Sequence, residues 1–183
     1  AITMLVTKNH RKEMNKREGY LVVAFGWIVM TLSGTLPYLF TGAIPDFTNA
    51  IFETISGYTT TGSTILNDIE SLPKGVLFWR SLTHWIGGMG IIVLAIAILP
   101  LLGIGGMQLF AAEVPGPSAD KLHPRITDTA KRLWLIYFGY TAAETLFLSL
   151  AGMSFFDALN HSMSTLSTGG FSTKNASVAY WND

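Results

Sequence analysis

Two stretches of small, oxygen-rich residues carry the most readable chemistry in this chain: Thr59-Thr60-Thr61-Gly62-Ser63-Thr64 and Ser167-Thr168-Gly169-Gly170-Phe171-Ser172-Thr173. A cation stripped of water needs several oxygens at contact distance, and extended strands supply them as backbone carbonyls without burying opposed charges. Glycine allows the backbone angles that bring successive carbonyls to one side, while Thr and Ser hydroxyls add oxygens or brace the strand from behind. Thr60, Thr61, Gly62 and Ser63 form one candidate cation strand, and Ser167, Thr168, Gly169 and Gly170 the other. Thr61, Gly62, Thr168 and Gly169 are expected to stand nearest the ion.

Each strand follows a short apolar segment, 47–58 and 155–166. A dozen helical residues reach only about 18 Å, too little to cross a hydrocarbon core of about 30 Å. A half-helix followed by an extended polar strand is the pattern of a re-entrant loop. Longer apolar runs surround these loops. Residues 20–40 contain no charge; 77–102 confine Arg80 and His84 to their first turns; 133–153 carry Glu144 near the middle. These runs predict an all-α integral membrane protein built of tandem helix, re-entrant pore loop and helix repeats. The expected divisions are a cytoplasmic segment 1–19, a first repeat 20–102, a cytoplasmic connection 103–132, and a second, incomplete repeat 133–183. Gly62 and Gly169 lie 107 positions apart, as do Trp27 and Trp134, which points to an internal duplication.

Composition agrees with a membrane class. Of 183 residues 49% are hydrophobic and 13% charged, with a formal net charge of zero, so no basic surplus exists to neutralise nucleic-acid phosphates. The absence of cysteine removes disulfides and thiolate metal sites, and leaves the redox compartment open. Lys8, Arg11, Lys12, Lys16 and Arg17 precede the first span, and Lys121, Arg125, Lys131 and Arg132 precede the third, which places the N-terminus in the cytoplasm and both loops open to the outside. The chain starts at Ala1 and stops at Asp183 in a polar stretch, so both ends are expected to be cuts in a longer protein, and no targeting segment is legible.

Three ordered signatures, Ile55-Ser56-Gly57-Tyr58-Thr59-Thr60-Thr61-Gly62-Ser63, Trp79-Arg80-Ser81-Leu82-Thr83-His84-Trp85-Ile86-Gly87-Gly88-Met89-Gly90 and Ala112-Glu113-Val114-Pro115-Gly116-Pro117, resemble the Trk/Ktr/HKT family of potassium transporters, in its bacterial Trk branch. The resemblance covers essentially the whole chain. It implies potassium uptake across the bacterial inner membrane by a multi-pass protein with four such repeats, of which this chain holds about one and a half. Two loops cannot complete a roughly fourfold ring. It also implies a homodimer, one potassium pathway per protomer, surrounding lipid, and a cytosolic nucleotide-binding regulator of the TrkA type. No organic cofactor is implied in this chain. In plant relatives, Gly at the Gly62 position accompanies potassium permeation and Ser a sodium preference. Ser63 and Gly170 are expected where potassium channels place an aromatic residue.

Other readings stand beside these. A related transporter could select sodium or ammonium. An intramembrane hydrolase would need Ser63, His84 and His161 as nucleophile and base, yet no nucleophile elbow or His-Glu-x-x-His motif is present. Arg80 and His84, four apart, either support a pore loop or snorkel to the interface. Glu144 is a candidate filter support, paired with Arg80 or His84, or a structural residue. Glu53 either attracts cations at the mouth or is solvated. Gly87, Gly88, Gly90, Gly103, Gly105 and Gly106 suit close helix packing. Asn175-Ala176-Ser177 is a glycosylation sequon by pattern only.

Overall fold

The computed structural model describes residues 16–102 and 122–181. Five helices follow in order: α1 Lys16–Phe40, α2 Phe47–Tyr58, α3 Lys74–Leu102, α4 Leu122–Leu150 and α5 Phe155–Leu166, then a 3₁₀ turn at Ser177–Trp181. Among the described residues there is no β-strand of a sheet, and the two Thr-Gly strands are single extended segments. The basic segment up to residue 15 and the stretch 103–121, with Gly103, Gly105, Gly106 and the Ala112 to Pro117 signature, lie outside the described residues.

Both half-helices have the bounds expected from the sequence, because caps fix their starts. The Asp46 carboxylate accepts from the Asn49 amide at 2.8 Å, and the Ser154 hydroxyl accepts from the Asp157 amide at 3.2 Å. The third long helix differs from expectation. It begins at Leu122, so the end of the predicted connection is helical, and Pro124 falls in its first turn, where a missing amide is tolerated. It stops at Leu150 rather than 153, with Gly152 at φ 106° and the Met153 amide bonded back to the Leu148 carbonyl at 3.1 Å.

Residues 23–40 and 131–150 are long and apolar enough to cross a membrane, and only 17% of each window is buried inside the fold. A core helix of a soluble protein would hide its apolar faces. Here Phe25, Val29, Leu135 and Phe147 are all exposed, which suits contact with lipid tails. The 29-residue α3 reaches about 43 Å as a helix, also enough to span. A small core of Tyr38, Ile44, Ala50 and Val76 ties the C-terminal end of α1 to the N-terminal ends of α2 and α3.

The duplication is real, but its register corrects the 107-residue offset. The half-helices match at 108: Asp46 with Ser154, Thr59 with Ser167 as C-caps, and the Thr60 to Gly57 and Thr61 to Ser56 backbone bonds with Thr168 to Thr165 and Gly169 to Ser164. The long helices match at 110, since the Thr41 to Pro37 and Gly42 to Leu39 bonds recur as Ala151 to Phe147 and Gly152 to Ser149. The linker into the second half-helix is therefore two residues shorter, and Trp27 corresponds to Tyr137, not to Trp134. One hydroxyl brace is duplicated with it. Thr35 bonds the Thr31 carbonyl and meets Thr54, and its counterpart Thr145 bonds the Thr141 carbonyl and meets Ser162.

Candidate functional site

The two Thr-Gly strands emerge from the C-terminal ends of α2 and α5, where unpaired carbonyls carry about half a negative charge. In the first strand Thr60 and Gly62 have φ of 53° and 74°; in the second, Thr168 and Gly170 have φ of 58° and 89°. Residues of positive φ thus alternate with ordinary ones. An ordinary β-strand turns successive carbonyls to opposite sides, whereas this alternation brings them to one side. Left-handed backbone at a β-branched Thr is strained, and strain of this kind persists where the surroundings over-determine it. Here the next amides, Thr61 and Gly169, are pinned to the Ser56 and Ser164 carbonyls at 2.9 and 2.8 Å.

The register changes which residues correspond. Gly170, not Gly169, is the counterpart of Gly62; Gly169 stands for Thr61, and Phe171 for Ser63. Phe171, rather than Gly170, therefore stands after the glycine that the two strands share, so an aromatic follows it in the second strand and Ser63 in the first. Ser167 corresponds to Thr59 and is a buried helix cap whose hydroxyl bonds the Met163 carbonyl at 2.9 Å, so it does not belong to the strand. Thr168, Gly169 and Gly170 remain in it. The two strands touch: a Cβ on Gly62 would overlap the Gly169 carbonyl oxygen.

Behind the strands stands α3. Gly87 lies against the Tyr58 carbonyl, where a Cβ would overlap it, and a Cβ on Gly88 would come 2.8 Å from the Ser167 Cβ. These glycines seat both half-helix ends, the close-packing role expected of them. Gly90 has no such neighbour closer than 3.9 Å.

Arg80 is 1% exposed and Glu53 0%, so neither the snorkelling of Arg80 nor the mouth position of Glu53 holds. Arg80 Nε donates to Glu53 Oε1 at 2.8 Å, Nη2 to the Thr64 hydroxyl at 3.2 Å, and Nη1 to the Ser172 carbonyl of the second loop at 3.2 Å. Glu53 also accepts from the Thr64 hydroxyl and the Ile65 amide. This buried ion pair binds half-helix, strand and neighbouring loop at once. The counterpart of Glu53 is His161, whose Nε2 lies 3.2 Å from the Ser172 hydroxyl, itself the counterpart of Thr64. The position is the same and no carboxylate stands there.

His84 is fully buried beneath the second strand; a Cβ on Gly169 would overlap its ring. Glu144 is half-buried, and the partners of Arg80 lie elsewhere, so the expected pairing with Arg80 does not form; among the described residues His84 has no hydrogen-bond partner at either ring nitrogen. Ser63 is held by its carbonyl, which accepts from the Ser56 hydroxyl at 2.6 Å. Residues after the second strand reach the linker that follows the first: the Asn175 side-chain oxygen accepts from the Ile69 amide at 2.9 Å, and Lys174 meets Glu70 at 3.9 Å.

Sequence reasoning missed Phe171, Thr64, Ser172 and His161 as strand supports. The signal was present in the paired caps: aligning Asp46-Phe47 with Ser154-Phe155 gives the 108 offset at once.

The TrkH cation transport protein family matches the chain over residues 2–183. A Trk system potassium uptake protein TrkH of Halomonas elongata is 50% identical over the whole chain, and that of Escherichia coli 51% identical over 96% of it. The chain spans 38% and 37% of those proteins. A crystal structure of the potassium transporter TrkH from Vibrio parahaemolyticus matches the fold over the whole chain and 36% of its own, at a TM-score of 0.81 and 44% identity.

Proposed function

This chain belongs to the TrkH cation transport protein family, and on that footing we propose that it supplies two of four pore loops to a potassium-uptake pathway across the bacterial inner membrane. The observation that carries the reading is the pair of touching strands with alternating positive φ at the ends of two half-helices. Carbonyls of Thr60, Thr61 and Gly62, with those of Thr168, Gly169 and Gly170, replace water around the ion, and the half-helix ends favour its positive charge. The membrane potential drives entry. Gly62 and Gly170, rather than Gly62 and Gly169, are the equivalent filter glycines.

The remaining quadrants belong to repeats beyond this chain. The packing of α3 on its own half-helix α2 and on the C-terminal end of α5 of the next repeat supports this arrangement. The corresponding faces of α1 and α2, with Leu32, Phe47 and Ile55 exposed, await an outer helix of the same kind. The cations that precede the first and third spans support an N-terminus on the cytoplasmic side. A second copy and a cytosolic nucleotide-binding regulator of the TrkA type complete the assembly.

The test is rubidium uptake by the full-length protein in a potassium-uptake-deficient bacterial strain, beside Gly62→Asp inserted at equal level. Uptake restored by the parent and lost in the variant is expected. Sodium uptake with no rubidium uptake would overturn the potassium reading.

A further inference from the structure

The two strands are held from behind by different means. In the first, the Ser56 hydroxyl donates to the Ser63 carbonyl at 2.6 Å. The counterpart hydroxyl, on Ser164, is buried and has no hydrogen-bond partner among the described residues. The second strand therefore lacks the tie that fixes the first. What it has instead is the side chain of Phe171, 3% exposed, which leaves its own repeat and enters the first one. Its ring stacks on His84 at 3.9 Å between centroids and 13° between planes, and lies 4.1 Å from the Arg80 guanidinium carbon. Its edge comes 3.6 Å from the Cβ position of Gly57 in α2.

We propose that Phe171 is a positioning and selectivity-determining residue, a lateral tether that fixes the second filter strand to Arg80 and His84 of the preceding repeat. The inference rests on the potassium-pathway reading and adds to it. Sodium needs shorter distances to oxygen than potassium does, so a carbonyl ring discriminates against it only while its strands resist moving inward. A strand without a hydroxyl tie resists through its side chain. The stack also accounts for Gly169 standing where the first strand has Thr61: the His84 ring occupies the space of a side chain there. A buried cation over a ring and a stacked aromatic pair are each strong enough to matter to a strand of this size.

The experiment uses full-length protein in liposomes and reads the potassium-to-sodium permeability ratio from reversal potentials. Phe171→Tyr keeps both ring faces and is expected to keep the ratio. Phe171→Leu keeps apolar volume but loses the faces, and is expected to lower the ratio roughly tenfold while potassium still passes. A Phe171→Leu protein with the parental ratio overturns the proposal. Should that variant fail to reach the membrane, His84→Asn removes one partner of the stack and is read in its place, with the same expectation and the same refutation. A parental protein that passes sodium as readily as potassium overturns the potassium reading itself, which separates that failure from failure of the tether.

Discussion

Replacing Glu53 by Gln removes one charge from the pair on which both loops converge. Arg80 keeps its position, 1% exposed, with no compensating carboxylate, and with the amide oxygen turned to Arg80 the Ile65 amide meets an NH2 group where Glu53 Oε2 had accepted. Breaking a buried ion pair by removing one partner costs about 3–5 kcal/mol, against about 1 kcal/mol or less for a pair in water. The folded-to-unfolded ratio should thus fall by roughly two to four orders of magnitude. Denaturant titration of the purified full-length protein in mixed micelles measures this. The double replacement Glu53→Met with Arg80→Met puts apolar bulk where the pair was, which is often close to neutral. It should be more stable than Glu53→Gln alone. It should not recover potassium selectivity, because the Ser172 carbonyl and the Phe171 ring have both lost the guanidinium. A loss under about 1 kcal/mol in Glu53→Gln would refute the reasoning, since it would mean that Arg80 is solvated.

Three further outcomes follow from the same contacts. Ser56→Ala loses the bond to the Ser63 carbonyl and should cost about 1 kcal/mol and loosen selectivity, whereas Ser164→Ala, with no bond to lose, should leave both near parental values; paired stability and flux measurements check this. Gly87→Ala drives a methyl into the Tyr58 carbonyl and should destabilise the fold by about 1–3 kcal/mol, while Gly26→Ala, with open space at its Cβ, should stabilise α1 by about 0.5–1 kcal/mol; thermal melts in detergent compare them. Gly169→Ser places its Cβ on the His84 ring and should reduce folded protein most, whereas Gly170→Ser meets no atom within 4 Å and costs only the backbone strain of a side chain at φ 89°, so more of it should reach the membrane, with altered selectivity, read by quantitative blotting and flux.

The half-helices were legible to the residue because capping residues, a dozen apolar-rich positions and a Thr-Gly exit all mark the same bounds. The spanning helices were legible from uncharged runs, though α4 extends to Leu122 through polar residues that hydropathy treats as connection. The duplication was visible and its register was not. Identical letters drew Gly62 onto Gly169, while geometry follows hydrogen bonds and the two-residue shortening of the second linker. Arg80 and His84 were flagged by type and spacing, but the partners of Arg80 come from 27 and 92 positions away, at Glu53 and Ser172, the ring stacked on His84 comes from Phe171, and no local pattern predicts such distances. Phe171 was hidden by the same slip, since at 107 its counterpart is Thr64 and nothing in that pairing suggests a tether.

The most direct measurement is anomalous diffraction from rubidium-soaked crystals of the full-length protein. The account predicts rubidium on the pore axis in contact with carbonyls of both described strands, Thr61 and Gly62 from one and Gly169 and Gly170 from the other. Rubidium seated elsewhere, with both strands free of it at saturating concentration, would contradict it.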